Sequence, residues 1–401
     1  MTVSIIVPIY CGKKYIPDLL VQAERNAKNC LCKLELLLIN DDPKAPLTET
    51  RHSDLVQIHV VNTDRNRGIH GARVRGLAYA SGEYVLFLDQ DDRIAPDYIR
   101  KQLSLIDGAA AVVCAASENQ KNYYHKGRTL KECIGKACMT QKGNFIISPG
   151  QVLLRKAEIP EFWKSNILNH NGADDWFLWL CMLCAGKAFA YNGEILFEHC
   201  VHGENTSADG YSMLNSMGEV YEKMKANRDC IQTDIDGIQR VIKEQEIRYL
   251  RERDKLLGLY TLLDDWMGLW ERHISAADYV QRQGYKKVFI YGRGRIGLRF
   301  AGELQAHQIA VCGFIDRDAE AFREGRTEEL PVILPEKAGE ISEPIYITLA
   351  KSEAEEVKKQ LKEKGAKHVY LLSDVIQSLR EEGDSLCSGC FEQAERRPYN
   401  G

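Results

Sequence analysis

The chain has no apolar run approaching the roughly 18 clean residues that a membrane-spanning helix needs. Its amino end, MTVSIIVPIYCGKKY, lacks the basic start and layout of a secretory leader. The sequence is therefore expected to be soluble and cytoplasmic, with peripheral association at the inner face of the membrane left open. An excess of one charge is missing too: 53 Lys and Arg against 57 Asp and Glu leave a formal net charge of −4. That balance offers no electrostatic footprint for nucleic acid or an anionic membrane surface. No internal repeat is present, which excludes solenoid and propeller architectures.

Cysteine is not scarce, but a disulfide framework is. The 13 cysteines are scattered and several fall inside apolar runs, which suits reduced core thiols. Two pairs have CxxC spacing. Cys181 and Cys184 lie in WFLWLCMLCAG, which reads as a buried helix; Cys387 and Cys390 lie in a polar tail without evident partners for a metal or redox site.

At 401 residues, 44% hydrophobic and 27% charged, the chain can build two ordinary globular cores. Val3 to Ile9, Leu34 to Ile39 and Val56 to Val61 read as strands, with a helix over Tyr15 to Ala27 and a Gly-containing turn leading into a helix over Asn66 to Ala80. These lead to Gly82–Asp97, GEYVLFLDQDDRIAPD, where Tyr84 to Leu88 form a continuous apolar run, as expected of a strand covered on both faces. Asp89, Gln90, Asp91 and Asp92 follow at its carboxyl end, the edge where open α/β sheets place ligands. If the chain stays extended there, Asp89 and Asp91 point the same way and could share one cation. Asp92 is read equally as a ligand or as the cap of a helix near Ala95.

Further on, Ala109 to Ala116 and Val152 to Arg155 read as strands, and Lys121 to Lys142 as a basic, Gly-punctuated loop over the site. Ala173 to Ala185 reads as a short helix apolar all round, followed by short strands at Phe189 to Tyr191 and Ile195 to Phe197. The pattern changes from Met213 to Gly284, where long helices carry dense charge that reads as a solvated face. Lys287 then opens a second α/β unit. The expected division is 1–212, a helical connector 213–284, 285–376, and a flexible tail 377–401.

The ordered blocks VSIIVPIY, INDDP, NRGIHGARVRGLAYASGEYVLFLDQDD, GADDWFLWL and HCVHGENTS resemble an inverting family 2 glycosyltransferase of the GT-A fold, over roughly residues 1 to 210. The resemblance implies a nucleotide-diphosphate-sugar donor, a UDP-sugar first, and a glycan or lipid-linked acceptor in bacterial cell-surface polysaccharide synthesis. It places Pro8, Tyr10 and Asp41 at the nucleotide, with Asp41 on the base, although Asp42 and Pro43 stand where the family usually has Gly and Ser. Asn66, Gly68 and Arg73 match its turn and helix toward the diphosphate. Asp89 and Asp91 match its ligands for Mn²⁺ or Mg²⁺, as oxygen donors suited to those ions. Asp89 also touches the nucleotide sugar, and His202 reaches the same ion. Where the family has an aromatic and an Arg before that histidine, this chain has His199 and Cys200. Of Asp174 and Asp175, the second matches the base that takes the acceptor proton.

In the second unit Gly292, Gly294 and Gly297 form GxGxxG between an apolar run and a helix, with Asp316 ending the next strand. The unit resembles the Rossmann-like domain of some bacterial sugar acyltransferases, which implies a nucleotide or nucleotide sugar there. Two rival functions follow from the same features: an NAD-dependent sugar-nucleotide dehydrogenase or epimerase, and a non-catalytic nucleotide-sugar-binding scaffold. Tyr221 and Lys225 have dehydrogenase YxxxK spacing but precede the glycine loop instead of following it. Oligomerisation is left open.

Overall fold

A computed structural model describes residues 1–48, 52–118, 121–122, 130–200, 209–319 and 330–382. The chain divides into two compact units, Met1–Tyr249 and Leu250–Gly401. The α/β class expected from the sequence is present in both: a large mixed sheet, and a second, small parallel sheet.

The first unit begins β1 (Thr2–Ile9), α1 (Ile16–Asn29), β2 (Lys33–Asn40), β3 (Val56–Asn62), α2 (Gly68–Tyr79) and β4 (Tyr84–Phe87). These four strands are parallel in the order β3-β2-β1-β4. The apolar runs of β1, β2 and β4 are buried, with Ile5, Ile6, Val85, Leu86 and Phe87 no more than 1% exposed, while β3 at the sheet edge is only partly covered. Covered on both faces, such strands need no alternation of polar residues. The chain continues through β5 (Arg93–Ile94), α3 (Tyr98–Leu103), β6 (Ala111–Glu118), β7 (Lys121–Asn122), α4 (Leu130–Cys133), α5 (Lys136–Gln141), β8 (Val152–Arg155), α6 (Glu161–Ser165), α7 (Asp174–Cys184) and β9 (Phe189–His199). β8 pairs antiparallel with β4 and β6, while β6 and β9 run parallel. The helices α8 (Gly210–Lys225) and α9 (Gln232–Glu271) follow, and α9 runs through the boundary between the units.

The structure corrects four local readings. The chain does not stay extended after β4: Asp92 N–H donates to Asp89 O at 3.2 Å, closing a turn. The following helix starts at Tyr98, so Asp92 caps nothing. Phe189 to Tyr191 and Ile195 to Phe197 belong to one strand, β9, whose register shifts opposite Cys114–Ala116 conceal its continuity in the sequence. In the segment read as a loop, residues 119–120 and 123–129 lie outside the described residues. Its second half forms α4 and α5, with Leu130, Cys133, Cys138 and Met139 buried in the core beside α7. Local polarity hid two helices too short to show a period.

The second unit contains α10 (Ala276–Arg282), β10 (Lys287–Tyr291), α11 (Arg295–Ala306), β11 (Ala310–Ile315), β12 (Val332–Ile333), β13 (Ile345–Ile347), α12 (Lys351–Glu363) and β14 (Val369–Leu371). Its parallel sheet has the order β12-β11-β10-β13-β14, so successive connections leave β10 in opposite directions. That arrangement opens a crevice at the carboxyl end of the central strand. The expected tail from 377 begins within a helical stretch at 372–382, and the rest of it lies outside the described residues.

Candidate active site

The site forms where β1, β2 and β4 end, because parallel strands deliver their carboxyl ends to one edge. Pro8 closes β1 in half-buried surroundings, and Tyr10 beyond it is 53% exposed. Gln90 clamps this turn to the end of β4: its Oε1 accepts from Tyr10 N–H at 3.1 Å, and its Nε2 donates to Tyr10 O at 3.2 Å.

Asp41 follows β2 and is 4% exposed. Its carboxylate accepts from Arg67 N–H at 3.0 and 2.9 Å and from Thr63 Oγ1 at 3.1 Å, so it shapes the loop that carries Asn66 and Gly68. Burial pushes its pKa up against those donors. Asn66 Oδ1 accepts from Gly68 N–H at 2.9 Å, and Gly68 takes φ +72° at the start of α2. A Cβ there would be strained and would meet Asn171 Oδ1 at 2.8 Å, so the turn requires glycine.

Arg73, one turn into α2, joins the strand edge to α7. It is 3% exposed, with one guanidinium nitrogen 2.5 Å from Asp89 Oδ1 and another 2.5 Å from Asp174 Oδ2. It is thus held between two carboxylates instead of standing at the helix start. Asp89 keeps its Oδ2 toward Ser148 Oγ, 3.5 Å away, and is 26% exposed. Burial outweighs the Arg73 charge, and the charges of Asp92 and Asp91 add to it, so the Asp89 pKa is pushed up to about 6. Asp91 is half-buried in the same turn.

Asp92 is buried and fully engaged, accepting from Ser148 Oγ at 2.9 Å and Cys200 N–H at 3.1 Å and pairing with His199 Nδ1 at 3.0 Å. The Asp92 hydrogen bond raises the His199 pKa. His199 therefore serves the turn from the position where an aromatic was expected. His202 lies outside the described residues. For a hard cation, the Asp89 and Asp91 carboxylates fit as oxygen donors, whereas Asp92 is spent on structure.

α7 presents the acidic pair from its first turn. Trp163, fully buried, donates from Nε1 to Asp174 O at 2.9 Å and stacks 4.3 Å from His70. Trp176, Phe177, Leu178, Trp179 and Leu180 are no more than 2% exposed, so the helix that bears the pair is fixed on every side. The two carboxylates part company: Asp174 turns to Arg73, while Asp175 accepts from Asn144 Nδ2 at 3.0 Å. Burial, with the Asp174 charge next in size, pushes the Asp175 pKa up to about 7. A carboxyl poised there can take a proton near neutral pH. Sequence reasoning missed Asn144, Ser148 and Gln90, which lie in irregular backbone and carry no periodic signal.

In the second unit, Gly297 approaches the loop so closely that a Cβ would lie 2.0 Å from Gly292 O. Gly294 caps α11, and Asp316 Oδ2 accepts from Arg293 N–H at 2.8 Å, holding the loop against β11. Gly292, Gly294, Gly297 and Asp316 are thus brought together. Tyr221 and Lys225 are not among them: both lie in α8 of the first unit, where Lys225 pairs with Glu222 at 2.6 Å.

Residues 4–176 match the family model of glycosyl transferase family 2. The chain is similar to an undecaprenyl-phosphate 4-deoxy-4-formamido-L-arabinose transferase of Klebsiella pneumoniae, 27% identical over 124 residues, covering 30% of this chain and 38% of the relative. A transferase of the same description from Sodalis glossinidius is 26% identical, covering 32% and 41%. The matches thus span about two fifths of these curated relatives' length. Among solved structures, S. aureus TarS residues 1–349 in complex with UDP-GlcNAc is 17% identical with a TM-score of 0.45, covering 62% of this chain and 73% of that one. No helix among the described residues is long and apolar enough to cross a membrane.

Proposed function

We propose that this chain, whose residues 4–176 match glycosyl transferase family 2, is an inverting, metal-dependent glycosyltransferase. It moves a sugar from a nucleotide diphosphate donor, a UDP-sugar first, to a hydroxyl of a glycan or lipid-linked acceptor in bacterial cell-surface polysaccharide synthesis. The name of the Klebsiella relative, a transferase on undecaprenyl phosphate, favours the lipid-linked class. The observation that carries the reading is the Asp89–Arg73–Asp174 bridge, which sets the carboxylates after β4 against the helix that presents Asp175.

In this reading Pro8, Tyr10 and the Asp41 loop with Asn66 and Gly68 receive the nucleotide, Asp41 on the base. Asp89, Asp91 and His202 hold Mn²⁺ or Mg²⁺, which when bound offsets charge on the leaving diphosphate. Arg73 positions Asp89 and holds Asp174 beside Asp175. Asp175 takes the acceptor proton while the acceptor oxygen attacks the anomeric carbon. The bond to the diphosphate breaks on the opposite face, its electrons leave with the diphosphate, and the anomeric configuration inverts.

The second unit is assigned a Rossmann-like nucleotide or nucleotide-sugar site at Gly292, Gly294, Gly297 and Asp316. The strand order around β10 and the close approach of α11 to its loop support this. Calorimetry against NAD(P) and UDP-sugars tests it, and silence toward all of them would remove it. The domain division proposed is 1–212 for transfer, 213–284 as connector and 285–376 for this second site.

The direct test of the transfer reading is Asp175→Asn. Transfer is expected to fall by about 10²–10⁴-fold with nucleotide binding retained. Near-normal turnover would remove Asp175 from the mechanism.

A further inference from the structure

The far end of α7 carries a second group of reactive side chains that the transfer mechanism does not use. Cys184 is the last residue of α7, and Cys230 lies in the turn before α9, 46 positions later. Their sulfurs are 2.9 Å apart, inside the distance at which two unbonded sulfur atoms ordinarily rest, and both residues are only partly buried. Lys136, at the start of α5, lies beside them with its Nζ 2.8 Å from Asp234 Oδ2, and that oxygen is 4.0 Å from Cys184 Sγ.

The two thiols are inequivalent. The hydrogen bond from Cys230 lowers the Cys184 pKa against burial and the Asp234 charge, Lys136 adding a smaller pull, while the same pairing and burial raise that of Cys230. A stabilised, partly accessible thiolate with a second thiol in contact is the arrangement in which oxidation ends in a disulfide. Cys181, one turn earlier, is buried against Met224 and Asn227 instead, so the CxxC spacing of Cys181 and Cys184 is not the functional pair. Asp234 could make the group a three-ligand metal site, but its carboxylate is already neutralised by Lys136.

We propose that Cys184 and Cys230 form a peroxide-oxidisable dithiol that closes to a disulfide and staples the carboxyl end of α7 to the turn before α9. The Cys184 thiolate attacks the peroxide O–O bond, and with one proton taken up gives a sulfenic acid and water. The Cys230 thiol then attacks that sulfur, forming the S–S bond and releasing a second water. Peroxide is reduced, and the two thiols lose two hydrogens between them. An external dithiol returns the pair to the reduced state.

The test treats the purified full chain with stoichiometric hydrogen peroxide, then blocks free thiols and maps peptides by mass spectrometry. Expected is a Cys184–Cys230 cross-linked peptide lighter by two hydrogens, reversed by dithiothreitol and accompanied by a rise in thermal midpoint. Cys230→Ser should leave a sulfenic acid on Cys184 that dimedone traps, and Cys184→Ser should abolish both products. A bridge between other cysteines, or no cross-link while Cys184 remains alkylatable, would overturn the proposal. So would Co²⁺ bound with thiolate absorption that Cys184→Ser removes, which would reassign the group as a metal site.

Discussion

Asp174 and Asp175 are adjacent in sequence and chemically distinct in the fold. Arg73 takes Asp174, with 2.5 Å between charged atoms, and Asp175 is left with the Asn144 side-chain amide and the Trp176 N–H, its pKa pushed up to about 7. Because Asp175 acts as a base only when ionised, kcat/KM should rise with pH through about 7 and level off above it. A profile flat from pH 5 to about 9 would contradict the assignment. Arg73 should behave as a support: Arg73→Met strands two carboxylates and is expected to cost about 3–5 kcal/mol of stability, read as a lower denaturant midpoint. The acidic pair at a helix start was legible from the sequence. The partition of its roles was not, because it depends on Arg73, 101 positions away.

Among the elements, the turn after β4 depends on β9. Asp92 holds His199 at the end of that strand, the N–H of Cys200 just beyond it and Ser148 from the segment before β8, so the carboxylates proposed to hold the metal sit on a tied turn. The raised His199 pKa means that its ion pair stabilises the fold fully below the ordinary value of 6.5 and that this contribution is lost as pH rises through the raised value. The stability difference between the natural protein and His199→Gln, measured by denaturation in chelator, should therefore shrink with increasing pH. Strands β1, β2 and β4 were legible because two-sided burial writes apolar runs, and the edge strand β3 because of its β-branched residues. The turn at Asp89–Asp92, α4 and α5, and the continuity of β9 were not, since tertiary pairing and packing decide them. Gly68 was legible as a turn residue, and Gly68→Ala should lower stability by about 1–2 kcal/mol from the positive φ.

For the whole molecule, the proposed transfer site lies on one sheet edge of the first unit, and the second unit repeats the strand-to-helix logic around Gly292–Gly297. Composition revealed both cores and the change of pattern between them. It did not reveal that α9, 40 residues long, runs unbroken through the boundary, because charge-rich periodicity looks alike on a connector and on a packed helix. The central claim is that Asp89 and Asp91 hold a divalent cation that donor cleavage requires. Release of free nucleotide diphosphate from a nucleotide-sugar panel, followed with Mn²⁺ and with excess chelator, tests it most directly. The account predicts release from a UDP-sugar with Mn²⁺ and loss of that release in chelator, whereas undiminished release in chelator would contradict it.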